Sequence, residues 1–226
     1  CMLCVNCDSF VTDRLSTRIG QSHADGQMDS VYYLARSNDR GMTVIFDYLR
    51  NWRFRRRIRA LHIALGIPED YAQRHRLPLH RPARRLVSVG ADIYQREQRL
   101  LAPAARAWHS MVAAAASTGV ELQLVSAYRS VAYQEGILRR KLEQGQSIEA
   151  ILQVSAAPGF SEHHSGRAVD VTTPGFPVLE EAFEESAAFA WLGEHAAGFG
   201  FSMSFPRGNP HGVAYEPWHW AWGADR

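Results

Sequence analysis

Cysteine is nearly absent from the body of this chain: the only three, Cys1, Cys4 and Cys7, fall within the first seven of 226 residues. A disulfide framework therefore has no partners beyond the N-terminus, and CxxCxxC lacks the fourth thiolate that a closed zinc or iron–sulfur site takes. The spacing reads as a frayed terminus with exposed thiols. Long apolar runs are missing too; nothing approaches the roughly 18 residues of a membrane span. No secretory h-region follows the start, where Arg14 and Arg18 interrupt a mildly apolar stretch. Net charge is only +2, so the molecule as a whole is not a strong polyanion binder. The charge is uneven, however: eleven arginines between Arg50 and Arg85 face only Glu69 and Asp70. Without a stacking aromatic ladder such a cluster reads as a solvated face. No nucleic-acid partner is expected, and anionic lipid or wall polymer suits the cluster better.

What is present is the composition of a globular protein, 46% hydrophobic and 21% charged, on a chain long enough to bury a core. Residues 1–27 are polar and aperiodic, which predicts a flexible N-terminal segment. Residues 28–85 form a basic helical extension in which Pro68 ends an apolar pattern and Pro78 and Pro82 keep the chain extended. Residues 86–226 read as one compact catalytic domain. There the periodicity predicts a long helix over 92–118 closed by Gly119, and a half-buried strand over 120–125. Helices follow over 131–144 and 147–154, then a strand around Val169 and Val171. A helix over 180–197 and a final strand over 215–222 complete the pattern. This irregular order argues for an α+β fold with a small antiparallel or mixed sheet flanked by helices.

Chemistry concentrates in two blocks, residues 161–170 and 216–219. Two imidazoles, His163 and His219, and the carboxylate of Asp170 make a three-ligand zinc set with one position left open, as hydrolytic zinc requires. A loop turning into a strand brings His163 and Asp170 together, and His219 comes from a neighbouring strand. Glu216 is placed to take a proton from water and return it to a leaving amine. In an extended strand its offset of three from His219 puts the two side chains on opposite faces, so Pro217 or a bulge must make them converge. Arg129, just after the strand over 120–125, suits an oxyanion or a substrate carboxylate. His164, His195 and His211 read as bystanders. Of Trp218, Trp220 and Trp222, one face packs into the core and the other walls the cleft.

Ser126, Tyr128, Arg129 and Ser130 with Gln134, then Ser161, His163, Gly166, Ala168 and Asp170, then Tyr215-Glu216-Pro217-Trp218-His219-Trp220, resemble the VanY-type D-alanyl-D-alanine carboxypeptidase family, zinc peptidase family M15, subfamily B. The likeness spans roughly residues 90–224. It implies a DD-peptidase (hedgehog-like) fold and one zinc per chain held by His163, Asp170 and His219. It also implies Glu216 as catalytic base, Arg129 as oxyanion stabiliser, and Ser161 and Gln134 as substrate contacts. Residues 202–208 depart from the family in lacking a basic residue near Ser204; Arg207 is the one available. The implied partners are peptidoglycan stem peptides or muropeptides, in the bacterial envelope or, given no visible signal peptide, the cytoplasm. The alternatives are an LD-carboxypeptidase, a peptidoglycan endopeptidase, or a non-catalytic wall-binding module. The last has no chemical need for Glu216 and Arg129 together.

Overall fold

The computed structural model describes residues 39–223; the expectations for residues 1–27 and for the three cysteines lie outside them. The chain divides into Cys1–Arg50 and a larger compact unit from Asn51 onward. Helix α1 (Asp39–Leu65) and the short α2 (Tyr71–His75) come first. A hairpin of β1 (Leu86–Ala91) and β2 (Glu97–Leu101) leads into α3 (Ala102–Ser117). Next come β3 (Gln123–Ser126), α4 (Val131–Glu143) and α5 (Ile148–Val154). A 3-10 turn (Glu162–Ser165) precedes β4 (Ala168–Thr172). Helix α6 (Ala187–His195) is flanked by 3-10 turns, and β5 (Phe201–Met203) and β6 (His219–Trp222) close the unit. Among the described residues no helix is long and apolar enough to cross a membrane.

The hairpin is the main departure from the expected elements, since the helix over 92–118 begins only at Ala102. Asp92 explains it. Its Oδ1 accepts the backbone N–H groups of Tyr94 (2.8 Å) and Arg96 (3.0 Å), a local turn that outcompetes a helix. Gln95 takes a left-handed φ of 62°, and Asp92 N–H donates to Arg96 C=O at 2.9 Å. The apolar spacing of Ile93 and Leu100 imitated a helical face that the turn forbids. The region 180–197 is likewise broken, because the Ser186 hydroxyl accepts the Phe189 N–H and restarts the helix there. The last strand begins at His219 rather than Tyr215, for a reason that bears on the site.

The main sheet is antiparallel in the order β3-β4-β6-β5, while β1 and β2 pair separately. Central β4 is buried along its whole length. Side chains alternate across it, so Val169 and Val171 face α3 and α6 and meet Leu100, Trp108, Met111, Phe183, Leu192 and Trp220 in one apolar cluster. Fully buried Leu100 and Met111 each contribute about 1.5–3 kcal/mol there. A second cluster joins Ile58, Leu65 and Tyr71 to Leu138, Ile151, Phe160 and Phe205. Asp170 looks away from the first cluster.

Candidate metal centre and its cavity

Strand register does the first part of the assembly. Ser126 stands opposite Asp170 on β3–β4, and Asp170 stands opposite His219 on β4–β6, so three side chains line up across three strands. His163 arrives from the 3-10 turn, whose left-handed exit at Gly166 (φ 66°) turns the chain into β4. The left-handed backbone favours glycine there, and a Cβ would in addition crowd Leu86 Cδ2 at 2.7 Å and force that side chain to shift. The Gly166 carbonyl accepts the Leu101 N–H at 2.8 Å, fastening the hairpin to this corner.

One atom each from His163, Asp170 and His219 lies within 4.8 Å of the others, and all three residues are buried. His163 Nε2 is 3.2 Å and His219 Nδ1 2.9 Å from Asp170 Oδ1. The remaining ring nitrogens are already committed. His163 Nδ1–H donates to the Ala127 carbonyl, and His219 Nε2–H donates to Glu162 Oε2 at 2.8 Å. Each imidazole therefore turns a lone pair toward the same point, with an outer partner fixing its tautomer, as in metal-ligating histidines. Two nitrogens and a carboxylate oxygen so placed fit a zinc ion at its usual bond lengths of about 2.0–2.2 Å.

The charges around the cluster are strongly coupled. Burial and the Arg129 cation push His163 down to about 4, against the pull of Asp170. Burial also works against His219, yet hydrogen bonds to Asp170 and Glu162 carry it up to about 10. Asp170 is held well below the carboxylate range: burial opposes this, but His163 and Arg129 outweigh it. A proton at His219 Nδ1 and a metal compete for one lone pair, so cation binding here displaces a proton.

Glu216 belongs to the turn that precedes β6. The His219 N–H donates to the Glu216 carbonyl at 3.1 Å, closing the chain across Pro217 and Trp218. That turn resolves the problem of opposite faces: Glu216 Oε2 comes within 3.9 Å of His219 Nδ1. Burial raises its carboxyl to about 7; His219 opposes this and Asp170 adds to it. A carboxylate poised near neutrality is what general acid–base work favours.

Arg129 donates through Nη2 to Asp170 Oδ2 and through Nε to the Ser126 hydroxyl (2.8 Å). Among the described residues its Nη1 has no hydrogen bond. These groups open on a cavity of about 650 Å³ that Gln134, Ser161, Trp218 and Phe205 also line. Gln134 Nε2–H donates to the Ala156 carbonyl at 2.9 Å, while its buried Oε1 has no partner. Trp218 lines the cavity, Trp220 is in the core, and Trp222 lies under the Arg167 guanidinium. Arg207 is elsewhere, ion-paired with Glu181 and Glu184 on the surface.

Several contributors escaped the reading of the sequence. Glu162 accepts from His219 and from the Ser204 hydroxyl (2.6 Å); burial opposes its ionisation, but these contacts hold it down to about 2. Its place directly before His163 was the available signal. His164 is fully buried, donates through Nδ1 to the Arg129 carbonyl at 2.7 Å and accepts the Gly159 N–H on Nε2. It points away from the ligand cluster yet fixes the backbone of Arg129. Gln98 relays the hairpin to the site. Its Nε2–H donates to Asp92 Oδ2, its Oε1 accepts the Ala127 N–H, and the Ala127 carbonyl holds His163.

A buried three-donor cluster, a carboxylate poised beside it and an open cavity are the groups a hydrolytic site would need. The chain belongs to the VanY family of D-alanyl-D-alanine carboxypeptidases, whose sequence model matches residues 97–225. It is 36% identical over 124 residues to the putative carboxypeptidase YodJ of Bacillus subtilis (strain 168), covering 51% of this chain and 43% of that protein. The chain thus spans less than half the length of that relative. Its fold resembles the LdcB LD-carboxypeptidase, solved to explain peptidoglycan recognition, with TM-score 0.58 and 29% identity over 66% of this chain and 72% of that one. It also resembles a variant of the vancomycin resistance D,D-pentapeptidase VanY in complex with Zn(II), with TM-score 0.51 and 25% identity over 64% and 83%.

Proposed function

We propose that this protein is a zinc-dependent D-alanyl-D-alanine carboxypeptidase that removes the C-terminal D-amino acid from peptidoglycan stem peptides in the bacterial envelope. The observation that carries the reading is the meeting of His163, Asp170 and His219 at one point with Glu216 beside it. The Zn(II) complex of a VanY relative supports the choice of metal. When bound, zinc would supply Lewis acidity at the scissile carbonyl.

The chain's own residues account for the remaining chemistry. Glu216 accepts a proton from the attacking water and delivers it to the departing amine as the C–N bond breaks, leaving a carboxylate and free amino acid. Arg129 Nη1, the unengaged donor of a guanidinium fixed by Asp170 and Ser126, points its charge at the developing oxyanion. The orphan Oε1 of Gln134 is an acceptor for a substrate N–H, and Ser161 adds a hydroxyl to the same wall.

Glu216→Ala is expected to retain zinc at wild-type stoichiometry and to lose nearly all release of D-alanine from a peptide ending in D-Ala-D-Ala. Undiminished release at matched zinc occupancy would remove Glu216 from the mechanism. An LD specificity is the second reading, favoured by the likeness to LdcB. Mass analysis of a panel of defined muropeptides separates the two by the bond that disappears.

A further inference from the structure

We infer that Lys141 recognises the free carboxylate at the C-terminus of the substrate and thereby makes this cavity an exopeptidase site. This deepens the carboxypeptidase reading and rests on it.

Lys141 is the only lysine in a chain with 24 arginines, and it lines the cavity that holds Glu216 and the ligand cluster. It stands seven residues after Gln134 on α4, two helical turns along one face, with Ile137 between them. The segment 155–156 lies against this helix and lines the same cavity. Gln134 is tied there through the Ala156 carbonyl, and Lys141 Nζ donates to the Ser155 hydroxyl at 2.9 Å. The side chain is thus fixed rather than waving in solvent, and one hydroxyl occupies one of its three donors.

Charge bookkeeping isolates this residue. The other cations lining the cavity are matched: Arg129 by Asp170 and Arg96 by Asp92. Arg207 turns outward to Glu181 and Glu184. No carboxylate among the described residues pairs with Lys141, although burial already weakens its hold on its proton. A cation drawn partly out of water, with no carboxylate in direct ion-pair contact among the described residues, fits a site whose anion arrives with the substrate. In an exopeptidase substrate one residue, about 3.8 Å of chain, separates the scissile carbonyl from the terminal carboxylate. Lys141 and the proposed base Glu216 line the same cavity, on the side the leaving group would occupy in this reading. Gln134 Oε1, a buried acceptor without a partner in the same cavity, is available to the N–H of that terminal residue.

The test compares a peptide ending in D-Ala-D-Ala as the free acid with the same peptide as its C-terminal amide, on zinc-loaded wild type, Lys141→Met and Lys141→Arg. Wild type is expected to favour the acid, and Lys141→Met to raise KM for the acid by about 10- to 100-fold, the worth of a charge-assisted hydrogen bond. The acid-to-amide ratio then collapses toward one, and Lys141→Arg restores part of it. A second readout is independent of turnover. An amine acylating reagent can label only Lys141 and the α-amino terminus, so mass spectrometry on zinc-loaded Glu216→Ala reads protection of a single side chain. The acid dipeptide should protect Lys141 and the amide should not. Equal protection by both, or an unchanged acid-to-amide ratio in an active Lys141→Met, overturns the role of Lys141 alone. If wild type neither binds nor cleaves either peptide, the D,D-carboxypeptidase reading falls and takes this inference with it.

Discussion

Asp170 and His219 face each other across the β4–β6 ladder, with Oδ1 2.9 Å from Nδ1, and the same aspartate spends its second oxygen on Arg129. One carboxylate thus orients an imidazole and a guanidinium together. The pairing is a consequence of register: a slip of one residue would send Asp170 into the apolar cluster of Val169 and Val171.

Glu162 holds the far nitrogen of His219, and Ser204 holds Glu162. Glu162→Gln keeps the shape but replaces the carboxylate by a neutral amide. Zinc affinity, read by chelator competition, is expected to fall about 10- to 100-fold, the usual cost of losing an outer-shell partner. Affinity at the wild-type level would mean that His219 is oriented by β6 alone.

Metal should stabilise the fold, because the ligands come from a turn and two strands that unfolding separates. At zinc 100-fold above its Kd the gain is about 2.7 kcal/mol. For a unit of this size that corresponds to a Tm increase of roughly 5–10 °C. Calorimetry with and without chelator measures it, and His163→Ala should show almost none of the increase.

Asp92 supports the site from a distance, through Gln98 and Ala127 to His163. Burial pushes its carboxyl up, but hydrogen bonds from Arg96 and Tyr94 outweigh this and leave it below its usual range. A depressed carboxyl stabilises the folded state above its unfolded value, near 3.9, and that contribution disappears as pH falls through the lower, folded value. Asp92→Asn is therefore expected to lower Tm by a constant amount between about pH 5 and 8, with the difference from wild type shrinking below about pH 4. A gap that widens in acid would contradict this sign.

The candidate site residues were visible in residue order, and the structure brings them together. His163, Asp170, Glu216 and His219 stand in two short blocks, and ligand chemistry limits which residue types a catalytic zinc can use. The α+β character followed from mixed periodicities, and Ser130 and Ser147 capped helices near the predicted starts. The hairpin was illegible because Leu100 satisfies a helical spacing and a strand alternation alike, and the deciding bonds of Asp92 are local polar contacts that hydrophobic pattern does not register.

The sequence by itself determined which side chains could bind a metal and move a proton, since those abilities belong to functional groups. Tertiary structure decided the pairings: Glu162 behind His219, Asp170 shared with Arg129, Glu216 turned back by the bend before β6, and Lys141 tied to Ser155 at the cavity wall. Each depends on register, burial and distance between segments up to 57 residues apart, as Glu162 and His219 are. Residue order alone does not encode those distances; packing sets them.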